Sequence, residues 1–240
     1  MSEWAPKRFW KSADILITDH GFGVVLDGRP VRTPAKAVLH VPSRSIAERI
    51  VQEFDAQNER IDPRTMPFTR TANAAVDKVA VQHADVADML ADYGDSDLLC
   101  YRAEAPDELV ARQNDMWDPL LDWAARQMNA RLEPRVGVMH APQDTAAVTA
   151  LRKRVHALTE FELAAFHDLV AISGSLVIGF AAKAQFKPIE ELWAASRVDE
   201  TWQQEQWGED EEATEMAEHK KAAFLHASEF MRLLSVQTSD

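Results

Sequence analysis

A chain of 240 residues, 46% hydrophobic and 27% charged, is long enough for one large or two small folded domains with a sizeable core. Its formal net charge of −13 argues against a partner that is nucleic acid or an anionic membrane, because both are bound largely through Lys and Arg. A single cysteine, Cys100, excludes an internal disulfide and fits a reducing cytoplasm.

In chain order, residues 1–11 show neither an apolar signal run nor an Arg/Ser-rich amphipathic stretch, so neither secretion nor organelle import is expected. Residues 14–18 form a short β-rich run, followed by the turn signal Asp19-His20-Gly21 and a second strand over 22–26. Asp27-Gly28 is a two-residue hairpin turn, because both positions tolerate positive φ. Further strands are expected over 30–33 and 37–41. Together they predict a small antiparallel, barrel-like β domain over residues 1–42, with an upper limit near residue 75.

Everything later reads as helix. Ser43 is placed to cap a helix reaching Gln57, with Ile46, Ile50, Val51 and Phe54 on one face. Asp62-Pro63 and Met66-Pro67 mark breaks, and helices follow over 68–83 and 84–93. The strongest pattern runs over 106–129, where Leu109, Met116, Trp117, Leu120, Leu121, Ala124 and Met128 repeat at helical spacing. Pro119 inside it is expected to kink or divide the helix. A brief extended segment is expected over 135–139. Helices then follow at 143–157, 160–173, 175–185, 188–206 and 210–234, and residues 235–240 are expected to fray. The longest apolar run, 169–182, is interrupted by Ser173, Gly174, Ser175 and Gly179 and is too short to cross a bilayer. The expected class is α+β, with an all-helical domain over 43–240.

Catalytic signatures are missing. There is no Gly-rich loop followed by lysine, and Gly21-Phe22-Gly23 lacks the third glycine of a dinucleotide fingerprint. The eight histidines form no zinc-binding pair, and there is no cysteine cluster. No catalytic residue, metal, cofactor or nucleotide is therefore expected. Asp95 and Asp97, beside Gly94, could form an acid–base or cation site, but helix capping, with Asp95 or Ser96 at the start of the next segment, is the simpler role.

The most unusual stretch is 190–218, where eleven acids accompany a single basic residue, Arg197, and Trp193, Trp202 and Trp207 are interleaved. Either the tryptophans face a core and the acids form a solvated outer face, or apolar anchors sit within an acidic rim that recruits a partner.

An ordered set of motifs spans nearly the whole chain. It comprises Arg8-Phe-Trp-Lys11, Leu26-Asp-Gly-Arg-Pro-Val-Arg-Thr-Pro-Ala-Lys36, Met66-Pro67 with Thr69-Arg70, and Asp77. Tyr93-Gly-Asp-Ser-Asp-Leu-Leu-Cys-Tyr-Arg102, Trp117-Asp-Pro-Leu-Leu121, Val198-Asp-Glu200 with Trp202-Gln203, Glu205 and Trp207-Gly208 follow. In these the chain resembles the assembly chaperones of the ATP synthase α subunit found in mitochondria and alphaproteobacteria. The resemblance implies a small β domain, a larger helical domain and no ATP hydrolysis. The implied client is the unassembled α subunit, protected from aggregation and delivered to assembly with β. It also implies client contacts at Asp199, Glu200 and Glu205, with Trp202 and Trp207 beside them. It implies a cytoplasmic protein, with the mitochondrial matrix as the place of eukaryotic relatives; without a transit peptide, a bacterial member or a mature form is expected. A constitutive subunit of a larger complex, and an enzyme using the Asp95/Asp97 region, are the alternatives.

Overall fold

The computed structural model describes residues 7–235; the expectations for residues 1–6 and 236–240 fall outside them. It shows an N-terminal antiparallel sheet followed by a mostly helical region, the expected α+β class. Two compact units are present. The first holds the described residues up to His83 with Thr159–Ala165 and the stretch from Glu229, and the second holds Ala84–Leu158 and Phe166–Ser228.

In the first unit, β1 (Ala13–Thr18) and β2 (Gly21–Leu26) pair from Ala13↔Leu26 to Thr18↔Gly21. The other edge of β2 is shared by β3 (Arg29–Pro30) and β4 (His40–Val41). The Asp27-Gly28 turn takes φ of 48° and 78°, as a two-residue hairpin of this kind requires. Asp27 also accepts from the backbone N–H groups of Ser12 and Lys11, which hold its carboxyl below the usual carboxylate range. β3 and β4 are shorter than expected. Pro30 and Pro34 have no N–H to donate, and only an isolated bridge, Arg32↔Val38, joins the segments between.

Helix α1 (Arg44–Asp55) packs on β1, β2 and β4 through buried Ile46, Ile50 and Phe54. Ser43 does not cap it. Its hydroxyl is buried and donates instead to the Leu233 carbonyl at 2.7 Å. Helix α2 (Pro67–Ala74) begins without a cap of its own at Met66. Glu53 of α1 supplies one, accepting from Phe68 N at 2.6 Å, Thr69 N at 2.8 Å and Thr69 Oγ1 at 2.6 Å. α2 runs on into a single π turn at Ala75–Val79.

The second unit contains most of α3 (His83–Ala91). After two 3₁₀ turns come β5 (Tyr101–Arg102) and the long α4 (Asp107–Met128). Pro119 does not divide α4, which is uninterrupted across it. β6 (Arg135–Val136) pairs in parallel with β5, which gives the expected extended segment its partner. Helices α5 (Thr145–His156), α6 (Glu160–Ser173), α7 (Leu176–Lys183), α8 (Ile189–Ala195), α9 (Val198–Trp207) and α10 (Glu211–Ser235) follow. The single helix expected over 188–206 is two, parted at Ser196 and Arg197. The core of this unit is built on Trp117, Leu120, Leu151, Phe166, Ile178 and Phe224. Trp117 donates its Nε1–H to the Ala195 carbonyl at 2.7 Å, which satisfies its one polar atom inside the core. No helix among the described residues is long and apolar enough to cross a membrane.

Candidate functional site

All five residues singled out as client contacts lie on α9, and the structure separates them into two groups. Glu200 accepts from Arg197 Nη1 at 2.7 Å, and the Arg197 guanidinium lies 5.6 Å from the Trp193 ring centroid. Glu205 is gripped by a two-pronged contact from Arg112 on α4, at 2.9 and 2.8 Å, and Arg112 also covers the Trp202 ring at 5.0 Å. The Arg112 hydrogen bonds hold the Glu205 carboxyl below its ordinary range. Both acids therefore have a guanidinium partner within this unit.

Asp199, Trp202 and Trp207 line a concavity of about 900 Å³. Its other residues come from the segment leading into α4 (Tyr101 to Pro106), from Leu109 and Gln113 on α4, from Gly137 and Val138 after β6, and from Gln203 and Gln206 on α9. Beneath it, Arg102 is buried, with its side chain 5% exposed. It donates to the Leu99 carbonyl, to Asn114 Oδ1 at 2.7 Å and to Asp118 Oδ1 at 2.7 Å, with its guanidinium over Trp117. Buried Gln113 links the two walls: its Oε1 accepts from Ala103 N at 2.8 Å and its Nε2 donates to Asp199 Oδ1 at 2.6 Å. Asp199 thus has a neutral amide partner rather than a cation.

The rim is apolar and open. Trp207 is 79% exposed, Val138 is 87% exposed, and the same β6 turn leaves Val136 and Met139 in solvent. The tryptophans of 190–218 therefore do not share one fate: Trp193 is buried, Trp202 is half-buried and Trp207 is exposed. The turn at 136–139 was not singled out from the sequence as a binding element. Its signal was four consecutive residues, Val136-Gly137-Val138-Met139, with no charge to mark them as a solvated loop.

The Asp95/Asp97 pair does not converge on a common site. Asp97 is fully buried and caps the 3₁₀ turn Leu98–Cys100 by accepting from Leu99 N, while its second oxygen accepts from Val177 N at 3.0 Å. Burial pushes its pKa up to about 6. Asp95 is half-buried and accepts from Gln143 N at 2.7 Å. Burial also pushes the Cys100 thiol up to about 12, so it is not poised as a nucleophile. Among the described residues no three His, Cys, Asp or Glu gather in a metal-holding group.

Comparison with known proteins agrees with the ordered motifs. The family model described as ATP12 chaperone protein matches residues 7–125. The crystal structure of Atp12 from Paracoccus denitrificans is 45% identical, covering 95% of this chain and 98% of that one, with a TM-score of 0.92. A solved structure from Agrobacterium tumefaciens is 40% identical, covering 96% of this chain and 87% of that one, at a TM-score of 0.91. The mitochondrial atp12 protein of Schizosaccharomyces pombe is 23% identical over 222 residues, which is 88% of this chain and 76% of the yeast protein.

Proposed function

The chain belongs to the ATP12 chaperone family of ATP synthase assembly, and on that premise we propose that it holds the unassembled α subunit until assembly with β. The observation that carries this reading is the 45% identity to Paracoccus Atp12 along 95% of the chain. A subunit destined for an obligate interface exposes a large apolar surface before it is assembled. Binding that surface keeps the free concentration of the sticky species low. Release to the correct partner then requires moderate affinity, with apolar anchors inside a polar rim.

The concavity beside α9 fits that requirement. Trp207 and Val138 supply exposed apolar area, Trp202 stands at half burial, and Asp199 supplies a carboxylate. Client contact is assigned to Asp199, Trp202 and Trp207, with Glu200 and Glu205 contributing charge from the same helix. The reading uses no catalytic step: the relatives are named as chaperones, and Asp97, the buried carboxylate of the alternative site, is occupied in holding backbone N–H groups. It places the protein in the cytoplasm, the counterpart of the compartment named for the yeast relative.

The test is co-expression of the tagged chain with the α or the β subunit of an alphaproteobacterial ATP synthase, followed by affinity capture. The α subunit is expected to be retained in soluble form and β is not. Retention of neither, or of both alike, contradicts the assignment.

A further inference from the structure

Around the concavity, the positive charges are spent and two negative charges are not. Arg102 is committed to Asp118, Asn114 and the Leu99 carbonyl, and Arg112 to Glu205. Glu104, exposed on the lining, has no ion-pair partner among the described residues, and Asp199 has only the Gln113 amide. The indole of Trp207 is likewise without an aromatic or cationic neighbour among them. Yet the same unit already shows what an indole and a carboxylate on α9 bind together: the Arg112 guanidinium, 5.0 Å from the Trp202 centroid and 2.8 Å from Glu205.

Asp199 and Trp207 mark the first and last turns of α9, eight residues apart in the helix. At 1.5 Å per residue this separates them by about 12 Å along the axis. An extended chain advances about 3.3 Å per residue and covers that distance in three to four residues.

From these features, and resting on the client reading above, we infer that the concavity beside α9 takes an extended segment of the α subunit with Lys or Arg three to four residues from a bulky apolar side chain. The cation meets Asp199, with Glu104 adding to the negative potential. The apolar side chain lies against Trp207 and Val138. Charge complementarity sets orientation and on-rate, and the indole sets residence time. Two cationic residues without the apolar partner leave Val138 without an apolar contact. An apolar segment without the cation leaves Asp199 desolvated and unpaired. Both are bound less well.

The experiment uses the full chain and an array of short overlapping peptides spanning an ATP synthase α subunit, with capture of the intact α subunit run in parallel. The bound peptides are expected to share the basic-to-apolar spacing. In solution, Asp199→Asn and Trp207→Ala are each expected to weaken the best peptide about tenfold or more, with Val138→Ser as a second apolar variant. The wild-type affinity is expected to fall with added salt, and that of Asp199→Asn to fall less. Circular dichroism confirms that each variant is folded. If intact α is captured but folded Asp199→Asn and Trp207→Ala bind it and the peptides as tightly as wild type, the inference is overturned while the chaperone reading stands. If the bound peptides are acidic or lack the spacing, it is overturned too. If the wild type captures no α subunit, the client reading fails first.

Discussion

Two buried carboxylates, Glu53 and Asp97, carry no salt bridge among the described residues and are held by backbone N–H groups instead. Glu53 caps α2, which has no side-chain cap of its own, and Asp97 caps the turn it begins while also holding the Val177 N–H at the start of α7. Replacing Glu53 by Ala strands two amide donors and the Thr69 hydroxyl inside the first unit. A loss of about 2–4 kcal/mol in urea denaturation is expected. A change below about 0.5 kcal/mol, the range of ordinary surface substitutions, would show that α2 needs no cap from α1. Asp97 gives a pH signature. Its pKa rises from the ordinary 3.8 to about 6 on folding. Between those values the folded chain keeps a proton that the unfolded chain has released. Its contribution to stability is therefore complete below the lower value and is lost as pH rises through the upper one. The stability advantage of wild type over Asp97→Asn should shrink across that window, by at most about 1.4 kcal/mol per pH unit. An advantage that grows with pH contradicts the assignment. At this scale Asp27-Gly28 announces its turn, whereas the cap expected from Asp95 or Ser96 is supplied by Asp97, which accepts from Leu99 N. The local pattern makes Ser43 a helix cap, but its actual partner, the Leu233 carbonyl, is 190 residues away and leaves no trace there.

At the scale of elements, periodicity placed the long helices within a few residues, since a buried apolar face imposes its own spacing. It failed at interruptions. Pro119 is expected to kink or divide α4, and of the two the helix is not divided. Pro119 is exposed, so water can satisfy the Asp115 carbonyl that lacks an N–H partner. Pro119→Ala should then restore that bond without loss of packing and stabilise the chain by about 1–3 kcal/mol in thermal or urea unfolding. A destabilised variant would contradict this account of Pro119. The separation of α8 from α9 sets where the acids fall. Because α9 starts afresh at Val198, Asp199 and Glu200 fall in its first turn, where acids suit the helix dipole, and Trp207 ends it just before Gly208 at φ 91°. The sequence marked α9 as unusual through its acids and tryptophans. It left out the β6 turn, because exposure of Val138 and Met139 is a property of how β6 pairs with β5 and is not encoded in spacing.

For the whole molecule, the net charge hides an asymmetry. Residues 1–83 hold 12 Lys and Arg against 10 Asp and Glu, and the other 157 residues hold 14 against 29. Nearly all the negative field comes from the part of the chain that contains the concavity, which suits recruitment of a cationic segment and discourages acidic ones. The composition showed the sign of the field, whereas its distribution around a binding surface depends on which arginines are neutralised internally. The most direct test is light scattering on dilution of unfolded α subunit into buffer with this chain, followed by addition of β. Scattering should be suppressed as the chain approaches equimolar amounts, and added β should then draw α out of the soluble complex into α–β assemblies. Unchanged scattering, or α that stays on the chain when β is supplied, would contradict the account.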